Sequence, residues 1–376
     1  MELIRKNNLV EFKKILKTDN YLRVLVVSGK NSYNKSGAKK ILKEILKKKK
    51  VYFFFKKNKL PEFEELTGLI KFIKIKKPNL IISVGGGAVM DLTKIANVFV
   101  EIKNLKNKIK KQEYVIKEKF CDSIAIPTTA GSGAEVTTNA VIYVNKIKYS
   151  IESEKIKPTH SILIPSLILS NTNKTISASS FDALAQAIES MISVKSSNES
   201  VQFSKKAIGL FLANYRKFIN NRNIMSAYNI SLSAYYAGKA ISLTKTTAPH
   251  AVSYPFTSFF NVDHGHAVSL TLNEFLRFNF EFKDKSVTSF NLLKRYFVLF
   301  NLFKVKNIND LIDKLEEIKN NLKLNDNFDS ISKNFKSKIP LIVSNVNVQR
   351  LTNNPIRITS LDIYNLLNNK LKFQKK

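Results

Sequence analysis

The sequence contains one cysteine, Cys121, in 376 residues. A single cysteine excludes an internal disulfide framework and is typical of a reducing compartment, so we expect a cytoplasmic location. No stretch of about 18 or more uncharged apolar residues occurs, which argues against a membrane-spanning helix and a membrane partner. The segment MELIRKNNLVEFKKIL lacks the apolar centre of a signal peptide, so no signal peptide is expected.

Arginine is scarce in a sequence that is otherwise rich in positive charge. The formal net charge is +33, and lysines are spread along the whole chain. Nucleic-acid-binding surfaces favour arginine, whose planar guanidinium reads phosphates and base edges. We therefore interpret the charge as a general compositional bias and expect no nucleic-acid partner. A positive field would still attract small anionic substrates and cofactors.

The length favours two domains, because a single hydrophobic core rarely extends over so long a chain. In the first half, short apolar runs predict strands and the lysine-rich segments between them predict helices. The predicted strands are 21–29, 51–55, 79–87 and 123–129, and the predicted helices are 36–50, 61–78 and 88–100. This alternation predicts an α/β domain with a Rossmann-like, mostly parallel sheet over residues 1–175. The segment 101–120 is interpreted as a solvated lysine-rich connection.

The second half has a different periodicity. In segments such as SVQFSKKAIGLFLANYRKF and INDLIDKLEEIKNNL, apolar residues recur at three- and four-residue spacing. This spacing places them on one face of a helix, which is typical of packed helices. The pattern predicts an all-helical domain over residues 176–376.

Two glycine-rich turns follow predicted strands. The first is Gly85, Gly86 and Gly87, and the second combines Thr128, Thr129, Gly131 and Ser132. Glycines before a helix let an anion approach the backbone amides of its first turn, and the hydroxyl groups could bind a polar ligand. A tight packing turn and a threonine-rich loop that satisfies its own backbone are the alternatives. Two such turns at the ends of neighbouring parallel strands favour a nucleotide.

Histidine is rare, yet three of the four histidines lie between residues 248 and 268: His250, His264 and His266. Upstream, Asp182 and Gln186 are four residues apart in a predicted helix and so share a face. Asp182, His250 and His264 together offer one oxygen and two nitrogens, a ligand set suited to zinc or ferrous iron. A helix-capping aspartate and hydrogen-bonded surface histidines are the alternative interpretation.

Several motifs, in order along nearly the whole chain, resemble those of the iron-containing (group III) alcohol dehydrogenases. They are GGGAVMDLTK, PTTAGSGAEVT, DALAQAIES, HAVSYPFTSFFNVDHGHAV and NNPIRITSLDI. The resemblance implies the fold of that family, which is the dehydroquinate synthase-like fold. It also implies an NAD(P)-dependent alcohol dehydrogenase or aldehyde reductase, with a divalent metal, Fe²⁺ or Zn²⁺, beneath the nicotinamide in the cleft between the domains.

The resemblance assigns the metal ligands with one departure. Asp182, His250 and His264 match ligands of the family, but Gln186 occupies the place of a fourth ligand, a histidine. A glutamine oxygen is a weak ligand for iron or zinc. Tyr254 occupies the place of a histidine that the family uses in proton relay. Tyr254 or the additional His266 could supply the proton instead.

The resemblance also assigns cofactor contacts, adding Asp91 and Lys148 to the two glycine-rich turns. Many NAD-using members carry an aspartate after the first strand, where Gly29 and Lys30 stand here. Without a carboxylate to repel it, a 2′-phosphate could pair with Lys30. We therefore expect NADPH in preference to NADH.

The departures from the family pattern are similar to those of phosphonoacetaldehyde reductases, which form 2-hydroxyethylphosphonate. A phosphonate needs cations near the site, and Lys195 and Lys245 are the candidates, although either could be an ordinary solvated lysine. A general metal-dependent alcohol dehydrogenase, a hydroxyacid oxidoreductase and a metal-free nucleotide-binding homologue are the alternatives. A small, anionic aldehyde is the expected substrate, and a homodimer or larger homo-oligomer is the expected assembly.

Overall fold

The structure is a computed structural model that describes residues 2–3, 8–18, 21–324 and 327–374. The chain divides into two compact units. The first comprises Met1–Asn171 and Arg222–Tyr235, and the second comprises Thr172–Asn221 and Tyr236–Lys376. Residues 222–235 group with the first unit, although their helical periodicity predicts membership of the second domain. A functional division at residues 175 and 176 stays a prediction.

Eight strands lie in the described part of the chain, all of them in the first unit. They are β1 Glu2–Leu3, β2 Arg23–Gly29, β3 Lys50–Lys56, β4 Leu80–Gly85, β5 Asp122–Pro127, β6 Asn139–Val144, β7 Ile147–Glu152 and β8 His160–Ile162. Six of them form a parallel sheet in the order β1-β8-β5-β4-β2-β3, and β6 and β7 form an antiparallel pair. The predicted parallel sheet is confirmed.

Helices cover both faces of this sheet. Those before residue 120 are α1 Leu9–Thr18, α2 Lys30–Lys35, α3 Ala38–Ile45, α4 Phe63–Lys76, α5 Gly87–Val98 and α6 Leu105–Lys111. Val24 and Val26 of β2 belong to one hydrophobic core, and Leu25 and Val27 belong to the other. Because successive strand residues point to opposite faces, a sheet covered on both sides needs a continuous apolar run, as β2 has.

The segment 101–120 differs from its prediction. It is not only a solvated connection, because residues 105–111 form α6 and both Leu105 and Ile109 are buried in a core of the first unit. These two apolar residues are four positions apart and so share a face of the helix. The lysines between and after them obscure this pattern in the sequence.

The later helices of the described residues confirm the predicted helical region. They are α7 Asn173–Ile192, α8 Asn198–Asn220, α9 Ile224–Thr244, α10 Ala248–Phe260, α11 His264–Ser269, α12 Leu272–Glu281, α13 Leu292–Phe303, α14 Ile308–Asn321, α15 Ile339–Ser344, α16 Val348–Leu351 and α17 Ser360–Gln374. The boundary between the two units at residues 235 and 236 falls within α9. No helix in this part of the chain combines the length and the apolar character that crossing a bilayer requires.

Helix α7 is buried along most of its length and packs against α8 and α11 within the second unit. Besides several serines, two carboxylates and one amide side chain lie inside this buried stretch: Asp182, Glu189 and Gln186. Burying a polar or charged group costs free energy unless partners compensate. The partners of these three side chains therefore show what this part of the fold is organised around.

Candidate metal and nucleotide sites

Asp182 meets two histidines from later helices. The Nε2 atom of His250, on α10, lies 3.1 Å from Asp182 Oδ1, and the Nε2 atom of His264, on α11, lies 3.9 Å from the same oxygen. One ligand atom from each residue fits within a group whose members all lie within 4.8 Å of one another. The three residues that spacing and resemblance select are therefore brought together. We refer to Asp182, His250 and His264 as the ligand triad.

The charges of this region favour a cation. Burial raises the pKa of the Asp182 carboxyl, but the hydrogen bond from His250 and the charge of His264 outweigh it, so the pKa lies below its usual value. Burial lowers the pKa of His250, but the charge of Glu189 and the hydrogen bonds to Asp182 and Glu189 raise it to about 9. An imidazole held between two buried carboxylates marks a strongly negative environment, which a divalent metal ion would neutralise.

Glu189 holds His250 from the side opposite Asp182. Its Oε2 atom accepts a hydrogen bond from His250 Nδ1, and its Oε1 atom accepts bonds from the backbone N–H (3.0 Å) and the hydroxyl group (2.8 Å) of Thr247. If a metal ion displaces the proton of Nε2, the proton that Glu189 favours on Nδ1 leaves the Nε2 lone pair for the metal. Sequence reasoning missed Glu189, although its seven-residue separation from Asp182 places both on one helix face.

Gln186 supplies a further oxygen beside the triad. Its side-chain amide donates a hydrogen bond to Asp182, while its buried Oε1 atom has no hydrogen-bond partner in the described part of the chain. A buried carbonyl oxygen without a partner is costly, and a metal ion would satisfy it. The donor set of two imidazole nitrogens and carboxylate and amide oxygens fits Zn²⁺ or Fe²⁺.

Gly265 allows α11 to approach α7. A Cβ atom on this residue would lie 1.8 Å from the carbonyl oxygen of Ala178 and 2.8 Å from Asp182 Cβ. Any other side chain would therefore push the two helices apart. The neighbouring His264 reaches Asp182 only because position 265 has no side chain.

Tyr254 and His266, the two candidates for proton donation, have different surroundings. The ring of Tyr254 stacks on that of His264, with centroids 5.4 Å apart and planes 4° from parallel. Tyr254 is buried, and its position four residues after His250 places both on one face of α10. His266 is half-buried and lies two residues after His264, a spacing at which helical side chains do not face each other. A catalytic role for either residue stays a prediction.

The two candidate substrate lysines lie on adjacent segments. Lys195 is exposed after the end of α7, and Lys245 is half-buried after α9, with a left-handed backbone φ of 61°. The hydroxyl group of Ser193 donates to the carbonyl oxygen of Thr244 at 2.9 Å, so the two segments lie side by side. Whether either lysine contacts a substrate stays a prediction.

In the first unit, the two predicted glycine-rich turns are in contact. The backbone N–H of Thr128 donates to the carbonyl oxygen of Gly85 at 2.9 Å. A Cβ atom on Gly86 would lie 3.2 Å from Thr129 Oγ1, and one on Gly87 would lie 2.7 Å from Ser132 Oγ. No side chain caps the start of α5, so its first amides remain available to an anion. This small, polar cradle at the carboxyl ends of β4 and β5 fits a nucleotide phosphate.

The other predicted cofactor residues surround this cradle within the first unit. Gly29 ends β2, which pairs with β4, and Lys30 is exposed at the start of α2. Gly131 is buried in the loop after β5. Their contacts with a cofactor stay predictions.

Asp91 and Lys148 lie where α5 meets the β6–β7 pair. Asp91 Oδ2 accepts a hydrogen bond from the backbone N–H of Val141 at 3.2 Å. Burial raises the pKa of Asp91 to about 6, while the charges of Lys94 and Lys148 oppose the rise. Lys94, which sequence reasoning missed, is buried and donates to Thr137 Oγ1 (2.7 Å) and to the carbonyl oxygen of Asn139 (2.8 Å). These contacts tie α5 to the loop after β5.

Two family models match the chain: "Iron-containing alcohol dehydrogenase" over residues 3–165, and "Fe-containing alcohol dehydrogenase family, C-terminal" over residues 176–371. The chain belongs to the iron-containing alcohol dehydrogenase family. The family assignment therefore covers both the unit with the glycine-rich turns and the unit with the ligand triad.

Curated relatives match part of their length. Phosphonoacetaldehyde reductase of Streptomyces viridochromogenes is 28% identical over 226 residues, which are 57% of this chain and 57% of the relative. 4-Hydroxybutyrate dehydrogenase of Clostridium kluyveri is 31% identical over 226 residues, which are 59% of this chain and 60% of the relative. The chain thus matches less than two thirds of either relative.

Solved structures confirm the fold. Sulfoacetaldehyde reductase from Bifidobacterium kashiwanohense in complex with NAD⁺ superimposes with a TM-score of 0.86 at 23% identity, covering 99% of this chain and 96% of that one. An iron-containing alcohol dehydrogenase from Thermococcus thioreducens superimposes with a TM-score of 0.89 at 21% identity. This match covers 99% of this chain and 98% of that one. The predicted iron-containing alcohol dehydrogenase fold is confirmed.

A Gly265→Ala substitution tests the close approach of α11 to α7. Because the added methyl group would overlap the carbonyl oxygen of Ala178, we expect the free energy of unfolding to fall by roughly 1–3 kcal/mol or more. The affinity for Zn²⁺ should fall as well, since His264 moves with the helix. Chemical denaturation and zinc titration measure the two effects.

Gly209→Ala, in α8, is the matched control, because a Cβ atom there would meet nothing within 4 Å. Alanine is favoured over glycine in a helix interior by roughly 0.5–1 kcal/mol, so this variant should be slightly more stable than the parent. Identical behaviour of the two variants would contradict the role assigned to Gly265.

A Glu189→Gln substitution tests the orientation of His250. The amide keeps the shape of the side chain but removes the charge that favours a proton on Nδ1. We expect the Kd for Zn²⁺ to rise roughly 10- to 100-fold, the usual effect of losing an outer-shell partner. Competition with a coloured chelator measures it. The exposed Glu281→Gln serves as control, and equal zinc affinity in both variants would show that Glu189 does not position His250.

Proposed function

We propose that this protein is an NAD(P)H-dependent reductase that converts a small anionic aldehyde to its alcohol. Phosphonoacetaldehyde is the favoured substrate, with 2-hydroxyethylphosphonate as product. The observation that carries the proposal is the convergence of Asp182, His250 and His264 in a member of the iron-containing alcohol dehydrogenase family. A cytoplasmic location and assembly as a homodimer or larger homo-oligomer are further predictions.

The ligand triad would hold a divalent metal ion, Fe²⁺ or Zn²⁺, with Gln186 Oε1 as an additional donor. An ion bound there supplies a Lewis acid for the aldehyde oxygen. Glu189 keeps His250 in the tautomer that leaves Nε2 available. The ligand triad, Gln186 and Glu189 lie on three helices of the second unit, and their packing limits the freedom of these side chains before a ligand binds.

The cradle formed by the two glycine-rich turns would hold the phosphates of the dinucleotide, whose reduced nicotinamide supplies the hydride. Because Gly86 and Gly87 have no side chains, they leave space for a phosphate group. The backbone amides at the start of α5 and the hydroxyl groups of Thr129 and Ser132 provide the hydrogen-bond donors. Residues 28–36 contain no carboxylate, and Lys30 is exposed at the end of β2. This arrangement favours NADPH, because a carboxylate there would repel its 2′-phosphate.

The alkoxide that forms on hydride transfer needs a proton. Tyr254 is the better placed of the two candidates, because its ring lies against a member of the ligand triad. His266, on α11 two residues after His264, is the second candidate. Either group would give its proton to the alkoxide directly or through an ordered water.

The names of the relatives support an anionic substrate. Phosphonoacetaldehyde, sulfoacetaldehyde and 4-hydroxybutyrate each combine a small oxygenated carbon chain with a negatively charged group. Lys195 and Lys245 are the lysines that we propose near this group. Oxidation of a short hydroxyacid is the second candidate function, favoured by the 31% identity to a 4-hydroxybutyrate dehydrogenase.

Steady-state assays test the proposal directly. Purified protein loaded with Fe²⁺ or Zn²⁺ should oxidise NADPH faster than NADH in the presence of phosphonoacetaldehyde. The Asp182→Ala variant should bind less metal, and its kcat/KM should fall by at least about 100-fold. This loss exceeds the usual effect of removing a residue that only supports a metal ligand. The exposed Asp284→Ala is the control. Failure of the parent on phosphonoacetaldehyde, sulfoacetaldehyde, uncharged aldehydes and 4-hydroxybutyrate alike would overturn the proposed function.

A further inference from the structure

Arg350, on the short helix α16, carries a guanidinium group that forms no ion pair with the described residues. Its Nη2 atom is buried and has no hydrogen-bond partner in the described part of the chain. A buried guanidinium nitrogen that donates to nothing is costly, because it has lost water and gained no acceptor. In folded proteins a water molecule, an ion or a bound ligand commonly satisfies such a group.

The guanidinium lies near Tyr254, whose ring stacks on His264 of the ligand triad. Helix α16 packs against α10, which carries both His250 and Tyr254. Burial raises the pKa of the Tyr254 phenol, and the charge of Arg350 opposes this rise. The Tyr254 ring in turn stacks on His264. Arg350 therefore neighbours the residue that covers one side of the triad.

Arg350 also belongs to a group of three hydrogen-bonded segments that each carry a cation. The backbone N–H of Val194 donates to the carbonyl oxygen of Asn353 at 3.0 Å, which joins the segment of Lys195 to that of Arg350. The bond from Ser193 to Thr244 joins the same segment to that of Lys245. Among the three cations, Arg350 alone has a buried nitrogen that the described residues leave unsatisfied.

We propose that Arg350 binds the tetrahedral oxyanion of the substrate, a phosphonate or a sulfonate, and thereby selects charged aldehydes over neutral ones. This inference rests on the proposed function and names the residue that reads the charge of the substrate. The planar guanidinium presents two parallel N–H donors to a pair of oxyanion oxygens, which a lysine ammonium does not. With its anionic end held at Arg350, a short aldehyde would lie beside Tyr254, whose ring stacks on His264 of the ligand triad.

Substrate comparison tests the proposal. With metal-loaded enzyme and NADPH, Arg350→Gln should lower kcat/KM for phosphonoacetaldehyde at least about tenfold more than for propanal, because a charge-assisted hydrogen bond is lost only with the former. The loss should appear mainly in KM. The same assay with sulfoacetaldehyde distinguishes a phosphonate from a sulfonate. Arg350→Gln should lower kcat/KM most for the aldehyde whose oxyanion Arg350 binds. Arg350→Lys should recover part of the loss, and the exposed Arg357→Gln should match the parent.

A binding measurement separates this inference from the proposed function. If the parent reduces no aldehyde, titration with 2-hydroxyethylphosphonate followed by phosphorus NMR still tests Arg350. Binding by the parent and Arg357→Gln that is lost in Arg350→Gln would support the inference even then. Equal binding by all three proteins, no binding by the parent, or equal losses of kcat/KM for phosphonoacetaldehyde and propanal would overturn it.

Discussion

The second unit depends on two carboxylates buried seven residues apart on α7. Each of them requires partners, and α10 and α11 provide them: His250 and His264 for Asp182, and Thr247 with His250 for Glu189. His250 lies between both carboxylates, so its ring is fixed from two sides. The missing side chain at Gly265 lets α11 come close enough to complete the group. Compensation of buried charge thus brings together the residues that would bind a metal.

The first unit positions its polar cradle by a different constraint. Parallel strands end at one edge of the sheet, so the turns after β4 and β5 must be neighbours. Glycine at positions 86 and 87 then decides how near they come, since a side chain would meet the opposite turn. Buried Lys94 links α5 to residues 137 and 139, and so fixes the far end of the loop after β5. The backbone amides at the start of α5 remain available to a ligand because no side chain caps them.

Much of this architecture can be read from local sequence patterns. Continuous apolar runs predict the central strands because strands covered on both faces are apolar throughout, and the motif order predicts the ligand triad. Glu189 and Arg350 were missed because their importance depends on partners distant in sequence: Thr247 and His250 for the first, α10 for the second. Helix α6 was missed because lysines mask its two buried residues. The grouping of 222–235 with the first unit depends on tertiary packing that helical periodicity does not encode.

X-ray absorption spectroscopy on the zinc-loaded protein tests the central claim most directly, since it counts the imidazoles around the ion without reference to turnover. The account predicts two histidine ligands completed by oxygen donors, and a loss of one imidazole in His264→Ala. A first shell with no imidazole, or with a third one contributed by another histidine, would contradict it.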